Sequence, residues 1–147
     1  MRRFVYPAIL APDDEERGVI VRFADLPEAI TQGIDVKNAL SDAADCLEEA
    51  IANRIVIGLP IPRPSGLKKG QHAVPLRAQT AAKAALYIAM REAKIGTMEL
   101  AGRLHCKEEE VRHLLDPRRP SGLQRLEAAL AAVNQKLIVS LQTAANL

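Results

Sequence analysis

Two extended runs near the start of the chain, Phe4-Val5-Tyr6-Pro7-Ala8-Ile9-Leu10 and Val19-Ile20-Val21-Arg22-Phe23, decide the fold. Both are short, apolar and rich in β-branched residues, the composition of paired strands. Between them lies Asp13-Asp14-Glu15-Glu16-Arg17-Gly18, a charged turn containing a glycine. Residues 29–32 read as a third strand, closed by Gly33. Asp35 stands where a helix N-cap belongs. Behind it Val36, Leu40, Ala43, Leu47, Ala50 and Ile51 recur at spacings of three and four, an apolar stripe able to cover one face of a sheet.

Past Ile57-Gly58, the residues Pro60, Pro62, Pro64 and Gly66 forbid regular structure, and residues 71–76 fit a fourth strand. The chain therefore divides into a unit over 1–66, a linker over 67–79 and a second unit over 80–147, which reads as helical. Thr80 is placed to cap a helix running to Lys94, and Gly96 or Thr97 opens a second helix that ends at Leu104. His105-Cys106-Lys107 makes a tight turn into a third helix over 108–115, which Asp116-Pro117 stops because the residue before proline avoids helical geometry. Ser121-Gly122-Leu123-Gln124 has the pattern of a capping box, and the fourth helix behind it sets Leu123, Leu126, Leu130 and Val133 on one face. Asn134 suits a left-handed helix stop, and Lys136-Leu137-Ile138-Val139-Ser140-Leu141 alternates like a strand. The expected class is α+β: a sheet with one helix, then an all-α unit with a terminal strand.

A chain of 147 residues suffices for one ordinary domain or two small ones, and 48% apolar residues allow a core built from Leu, Ile, Val and Ala, since aromatics are only 3%. The net charge of +2 conceals a division. Residues 1–62 carry six basic and eleven acidic side chains, a net −5, while the remainder carries fourteen and seven, a net +7. An acidic half suits a basic protein partner and a basic half suits nucleic acid. Cys46 and Cys106 make no metal or redox spacing and read as reduced structural thiols of a cytosolic protein. Arg2-Arg3 and the apolar run behind them imitate a signal peptide, but two prolines and four following acids argue for a strand instead. No apolar stretch approaches the ~20 residues that a membrane span requires.

The succession Tyr6-Pro7-Ala8, charged hairpin, apolar strand ending in Phe23, Asp25-Leu26-Pro27 and Thr31-Gln32-Gly33 before a helix closely resembles the HicB-type antitoxins over residues 4–66. The resemblance implies a fold like a truncated ribonuclease H and a partner: a small, basic, RNA-cleaving toxin of the HicA type. Asp13, Asp14, Glu15 and Glu16 on the hairpin, with Asp42, Asp45, Glu48 and Glu49 on the first helix, are the expected toxin contacts.

In the second half, Leu100-Ala101 with Leu104 and Cys106, then Val111 and Leu114, has the spacing of a lambda-repressor-like helix-turn-helix, although four small helices with two short turns also fit a plain bundle. Leu115-Asp116-Pro117-Arg118-Arg119 and the Leu-rich helix after it resemble the C-terminal domain of helix-turn-helix HicB proteins. That likeness implies operator DNA as a partner, with Thr97, Lys107, Glu108, Glu109, Arg112, Arg118 and Arg119 at the interface. Two departures stand out. His105 occupies the turn position usually held by glycine, and the reading helix opens on Glu108-Glu109-Glu110. The three acids either complement the helix N-terminus or, at Glu108 and Glu109, accept a hydrogen bond from cytosine. Leu137, Val139 and Leu141 point one way on a terminal strand that lacks a sheet of its own, so pairing with a symmetry mate into a homodimer or larger homo-oligomer is expected.

Catalysis finds no support in the chain. A ribonuclease H site needs acids converging from strand interiors on metal ions, whereas these acids crowd into one hairpin. His72, His105 and His113 are scattered, and neither a catalytic triad nor a phosphate-binding loop is present, so no cofactor or metal is expected. The expected role is an antitoxin that also represses its own operon. The alternative is a stand-alone transcription regulator whose first half senses a small ligand in an apolar pocket.

Overall fold

The computed structural model describes residues 1–143. Four strands, β1 (Val5–Asp13), β2 (Gly18–Phe23), β3 (Leu26–Gly33) and β4 (His72–Pro75), form one antiparallel sheet in the order β3-β2-β1-β4. Helix α1 (Val36–Ile57) lies between β3 and β4 in the chain and covers one face of the sheet. Four further helices follow: α2 (Ala78–Ala93), α3 (Thr97–Leu104), α4 (Glu108–Leu115) and α5 (Leu123–Ala132).

The hairpin is longer than its apolar residues suggest, because pairing carries the ladder through Pro12 opposite Val19 and Asp13 opposite Gly18. The bend itself falls on Arg17, with φ of 56°, and not on Gly18. Gly18 serves a different need: a Cβ there would lie 2.5 Å from the Gly33 carbonyl oxygen across the β2–β3 ladder. Gly33 is confined in the same way, against the backbone nitrogen of Ala39. That close approach folds α1 directly onto the sheet. Burial begins at Ala39 and runs through Ala43, Leu47, Ala50, Ile51 and Ile55, while Val36, expected in the stripe, stays half exposed on the first turn. β3 is longer than the expected 29–32 because Pro27 is tolerated on an edge strand.

Both ends of α1 are capped. The Asp35 carboxylate accepts from the Asn38 backbone N–H at 2.8 Å, and the Asn38 side chain accepts from Ile34 N–H at 3.0 Å. At the other end Gly58 turns left-handed, with φ of 77°, and the Leu59 N–H donates to the Arg54 carbonyl. The proline-rich stretch behind it is ordered by side chains. Arg91 donates to the Gly58 carbonyl, Tyr87 to Leu59, Arg54 to Pro60 and Tyr6 to Pro62. Four backbone oxygens that join no ladder thereby gain a donor.

The fourth strand expected over residues 71–76 is β4, and α2 does not belong to the helical half alone. Ala84 and Tyr87 of α2 pack with Tyr6, Leu47, Ile51 and Val74 in the core under the sheet. Ala82, Leu86, Ala89 and Met90 enter a second core with Leu100, Val111, Leu114, Leu126 and Leu130. One helix thus serves two cores.

Three local expectations are corrected. Arg77, not Thr80, is the N-cap of α2, and Thr80 is buried with its hydroxyl donating to Glu48. Ser121 forms no capping box: Gly122 is the N-cap of α5, and Ser121 Oγ accepts from the buried Lys83 instead. Leu123, on the first turn, is 55% exposed and lies off the core face. His105 and Asn134 adopt the left-handed conformation, with φ of 53° and 60°. Residues 136–143 form neither helix nor strand, as a ladder requires a partner and a single chain offers none there.

Candidate functional site

The eight acids expected to meet a partner fall into two groups. At the hairpin, Asp13 closes its own turn by accepting from the Glu15 and Glu16 backbone N–H groups. Glu16 accepts from the Gln32 side chain at 2.7 Å, and Asp14 and Glu15 stand exposed. None of the four makes an ion pair among the described residues. On α1 the position is reversed. Asp45 pairs with Arg77, Glu48 accepts from Thr80 with its other oxygen buried and unpartnered, and Glu49 pairs with Arg118 at 3.2 Å. Only Asp42 of that set remains without such a partner among the described residues. The outer acids of α1 therefore face the basic half of their own chain.

The residues expected at DNA are also sorted by the fold. The Thr97 hydroxyl donates to Glu108 Oε1 at 2.7 Å, and Arg112 donates to the same oxygen at 2.8 Å. Glu108 thus ties the start of α3 to the middle of α4, and its carboxylate has a structural employment. Lys107, Glu109 and Arg119 line an open groove of about 530 Å³ together with His113 and Arg125. Arg119 also lies 3.5 Å from Asp116, and Arg125 pairs with Glu110 at 2.8 Å. Arg118 turns away from this groove toward Glu49.

Lys83 was not visible as a special residue in the sequence, where it is one of several lysines. Its side chain is fully buried, and its ammonium donates to the carbonyls of His113 and Leu114 at 3.1 and 3.0 Å and to Ser121 Oγ at 2.7 Å. A cation at the carbonyl end of α4 is favoured by the helix dipole. Burial nonetheless pushes the Lys83 ammonium below its ordinary pKa, with Asp116 opposing that shift. A lysine inside an Ala-rich helix looks like any solvated one; only the helix opposite it explains the burial.

Burial pushes both thiols, Cys46 and Cys106, above their ordinary pKa, and Glu110 adds to the effect at Cys106. Among the described residues no three His, Cys, Asp or Glu side chains gather as a metal site, and no helix is long and apolar enough to cross a membrane.

Residues 5–85, from β1 into α2, match the family model of the HicB_like antitoxin of bacterial toxin-antitoxin systems. The chain belongs to the HicB-like antitoxin family. The matched segment takes in all four strands, α1 and the first half of α2 as far as Ala84 of the first core, while Tyr87 of that core lies beyond it. Relatives extend the likeness over nearly the whole chain. Antitoxin HicB 1 of Photorhabdus laumondii subsp. laumondii is 32% identical over 137 residues, covering 93% of this chain and 86% of its own. Antitoxin HicB of Escherichia coli K12 is 31% identical over 132 residues, covering 90% and 95%. Antitoxin HicB of Pseudomonas fluorescens is 28% identical over 132 residues, covering 89% and 90%. As a HicB antitoxin, the chain has a toxin for a partner.

Proposed function

We propose that this HicB-like antitoxin neutralises a small, basic, RNA-cleaving toxin of the HicA type through its acidic first half, and represses the operon encoding both through its basic second half. The observation that carries the reading is the division of charge, −5 over residues 1–62 against +7 beyond them, in a chain of this family. An RNA-binding toxin must present a basic surface, and complementary charge speeds encounter and disfavours wrong partners. The protein acts by occlusion and not by catalysis.

In this reading α3 and α4 act as a helix-turn-helix, with α4 entering the major groove. Three features support it: two eight-residue helices joined by a short turn, the left-handed His105 between them, and the packing of Leu100, Ala101, Val111 and Leu114 in their shared core. Lys107 and Arg112 lie on the exposed side of α4, and Arg118 and Arg119 supply phosphate contacts from the following loop. Pairing of residues 136–141 with a second copy supplies the two-fold dimer that an inverted-repeat operator needs. The ligand-sensing alternative gains nothing from the open groove beside α4, which lies in the helical half.

The test is co-expression of the full chain with the small basic protein encoded beside it, followed by an RNA-cleavage assay. A stable complex with cleavage suppressed is expected. A folded antitoxin that neither binds that protein nor prefers its own promoter over random DNA at moderate salt overturns the two halves of the reading separately.

A further inference from the structure

The face of the sheet turned away from α1 has a composition that a water-facing sheet does not need. Cross-strand register places Ile9, Arg22 and Ile30 side by side in one row, and Ala11, Ile20 and Gln32 in the next. Pro7, which is itself buried, and the exposed Ala73 pair in a further row that reaches β4. Their neighbours one residue along, Ala8, Val21, Phe23 and Ala29, are buried beneath α1. An antiparallel sheet with one solvated face usually alternates apolar inside with polar outside. Here the outside rows are mostly isoleucine, alanine and proline, with Ile9 42% and Ile30 49% exposed. The later helices make their main contacts with α1 and with one another, and Ala84 and Tyr87 of α2 enter the core on the α1 side of the sheet.

The charge around the face is equally specific. The Glu16 carboxylate reaches across to Gln32, a member of the second outer row, so the acidic hairpin opens onto this face. Asp14 and Glu15 are exposed beside it. Of the α1 acids expected to receive a basic partner, Asp45, Glu48 and Glu49 are held by Arg77, Thr80 and Arg118 of the same chain, which leaves Asp42 alone among the described residues. A partner docking on α1 would have to displace the basic half first.

We infer that the toxin docks on the α1-distal face of the sheet, with Ile9, Ile20 and Ile30 as the apolar centre and Asp14, Glu15 and Glu16 as the acidic rim. This rests on the toxin-binding reading above. Apolar centres with polar rims are the general anatomy of such interfaces. Arg22, exposed and without an ion pair among the described residues, supplies a central donor for a carbonyl or carboxylate of the partner. A second copy of the chain is a poorer occupant, because a two-fold contact centred on this row would set Arg22 against Arg22.

The experiment titrates full-length protein, wild type and variants, with the small basic protein encoded beside it in a catalytically inactive form. Ile30→Glu should weaken binding roughly 30-fold or more, the scale of a central interface anchor. Should Ile30→Glu melt the fold, Ile30→Thr keeps the β-branched shape and should still lose several-fold. Glu15→Gln with Glu16→Gln should slow association and flatten its salt dependence. Asp45→Asn and Glu49→Gln should leave affinity within about twofold, as exposed ion pairs contribute little. Full affinity in folded Ile30 variants, or a large loss on the α1 substitutions alone, overturns the assignment of the face. Failure of the wild type to bind sinks the toxin reading itself, and this inference with it.

Discussion

At the scale of single residues, Lys83 and Tyr6 show how one polar group can organise a buried surface. Lys83 satisfies the last carbonyls of α4 and the Ser121 hydroxyl at once, so it sets where the loop carrying Arg118 and Arg119 begins. Lys83→Met keeps much of the volume but leaves the buried Leu114 carbonyl without its donor, while the His113 carbonyl keeps the Asp116 N–H, at a cost of about 1–3 kcal/mol. Chemical denaturation should show that loss as a lower midpoint with an unchanged slope. Tyr6 makes the converse case through pH. Burial, helped by Asp25, pushes its phenol from 10.0 up to about 12. The neutral phenol donates to the Pro62 carbonyl, so the contribution is complete below the unfolded value of 10.0 and lost as pH rises toward about 12. Stability measured across that window should fall in the wild type more steeply than in Tyr6→Phe; parallel curves would contradict this role.

At the scale of elements, α4 opens on Glu108-Glu109-Glu110, three acids that a phosphate backbone would repel if they stood free. Glu108 is held between Thr97 and Arg112, and Glu110 pairs with Arg125, leaving Glu109 as the exposed member of the three without such a partner among the described residues. Two of these acids therefore fasten α4 to its neighbours while complementing its N-terminus. On the proposed DNA reading, Glu108→Ala should tighten binding to all sequences several-fold and leave sequence preference unchanged, because it frees Arg112 and removes a negative charge. A changed preference in a binding-site selection would instead assign Glu108 to a base. Arg118→Ala should weaken all sequences alike and reduce the slope of log affinity against log salt by about 1.

For the whole molecule, two cores share α2, and the acids of α1 meet the bases of the second half across that joint. The tail beyond Asn134 is the part this arrangement leaves unused. Leu137 leans on the second core, whereas Val139 and Leu141 are 73% and 97% exposed. Sedimentation of the full chain should give a dimer or larger species at micromolar concentration, and Val139→Asp with Leu141→Asp should reduce it toward monomer. A wild-type monomer at high micromolar concentration would remove the dimer from the proposed function.

Much of the architecture was set by the sequence alone. The paired strands, the Asp35 cap, the stop at Gly58, the turn at His105 and the left-handed Asn134 all follow from short-range sterics, hydrogen bonding and periodicity, which neighbouring residues determine among themselves. The charge division was equally plain. Tertiary structure alone decided what each group then does. Gly18 is required by Gly33 across a ladder and not by its turn, Thr80 is buried against Glu48 instead of capping, and Lys83 is interior because a helix end lies opposite it. Whether Glu49 is free or occupied depends on Arg118, 69 residues away. Such contacts have no local signature, because packing sets them by bringing together segments that are remote along the chain.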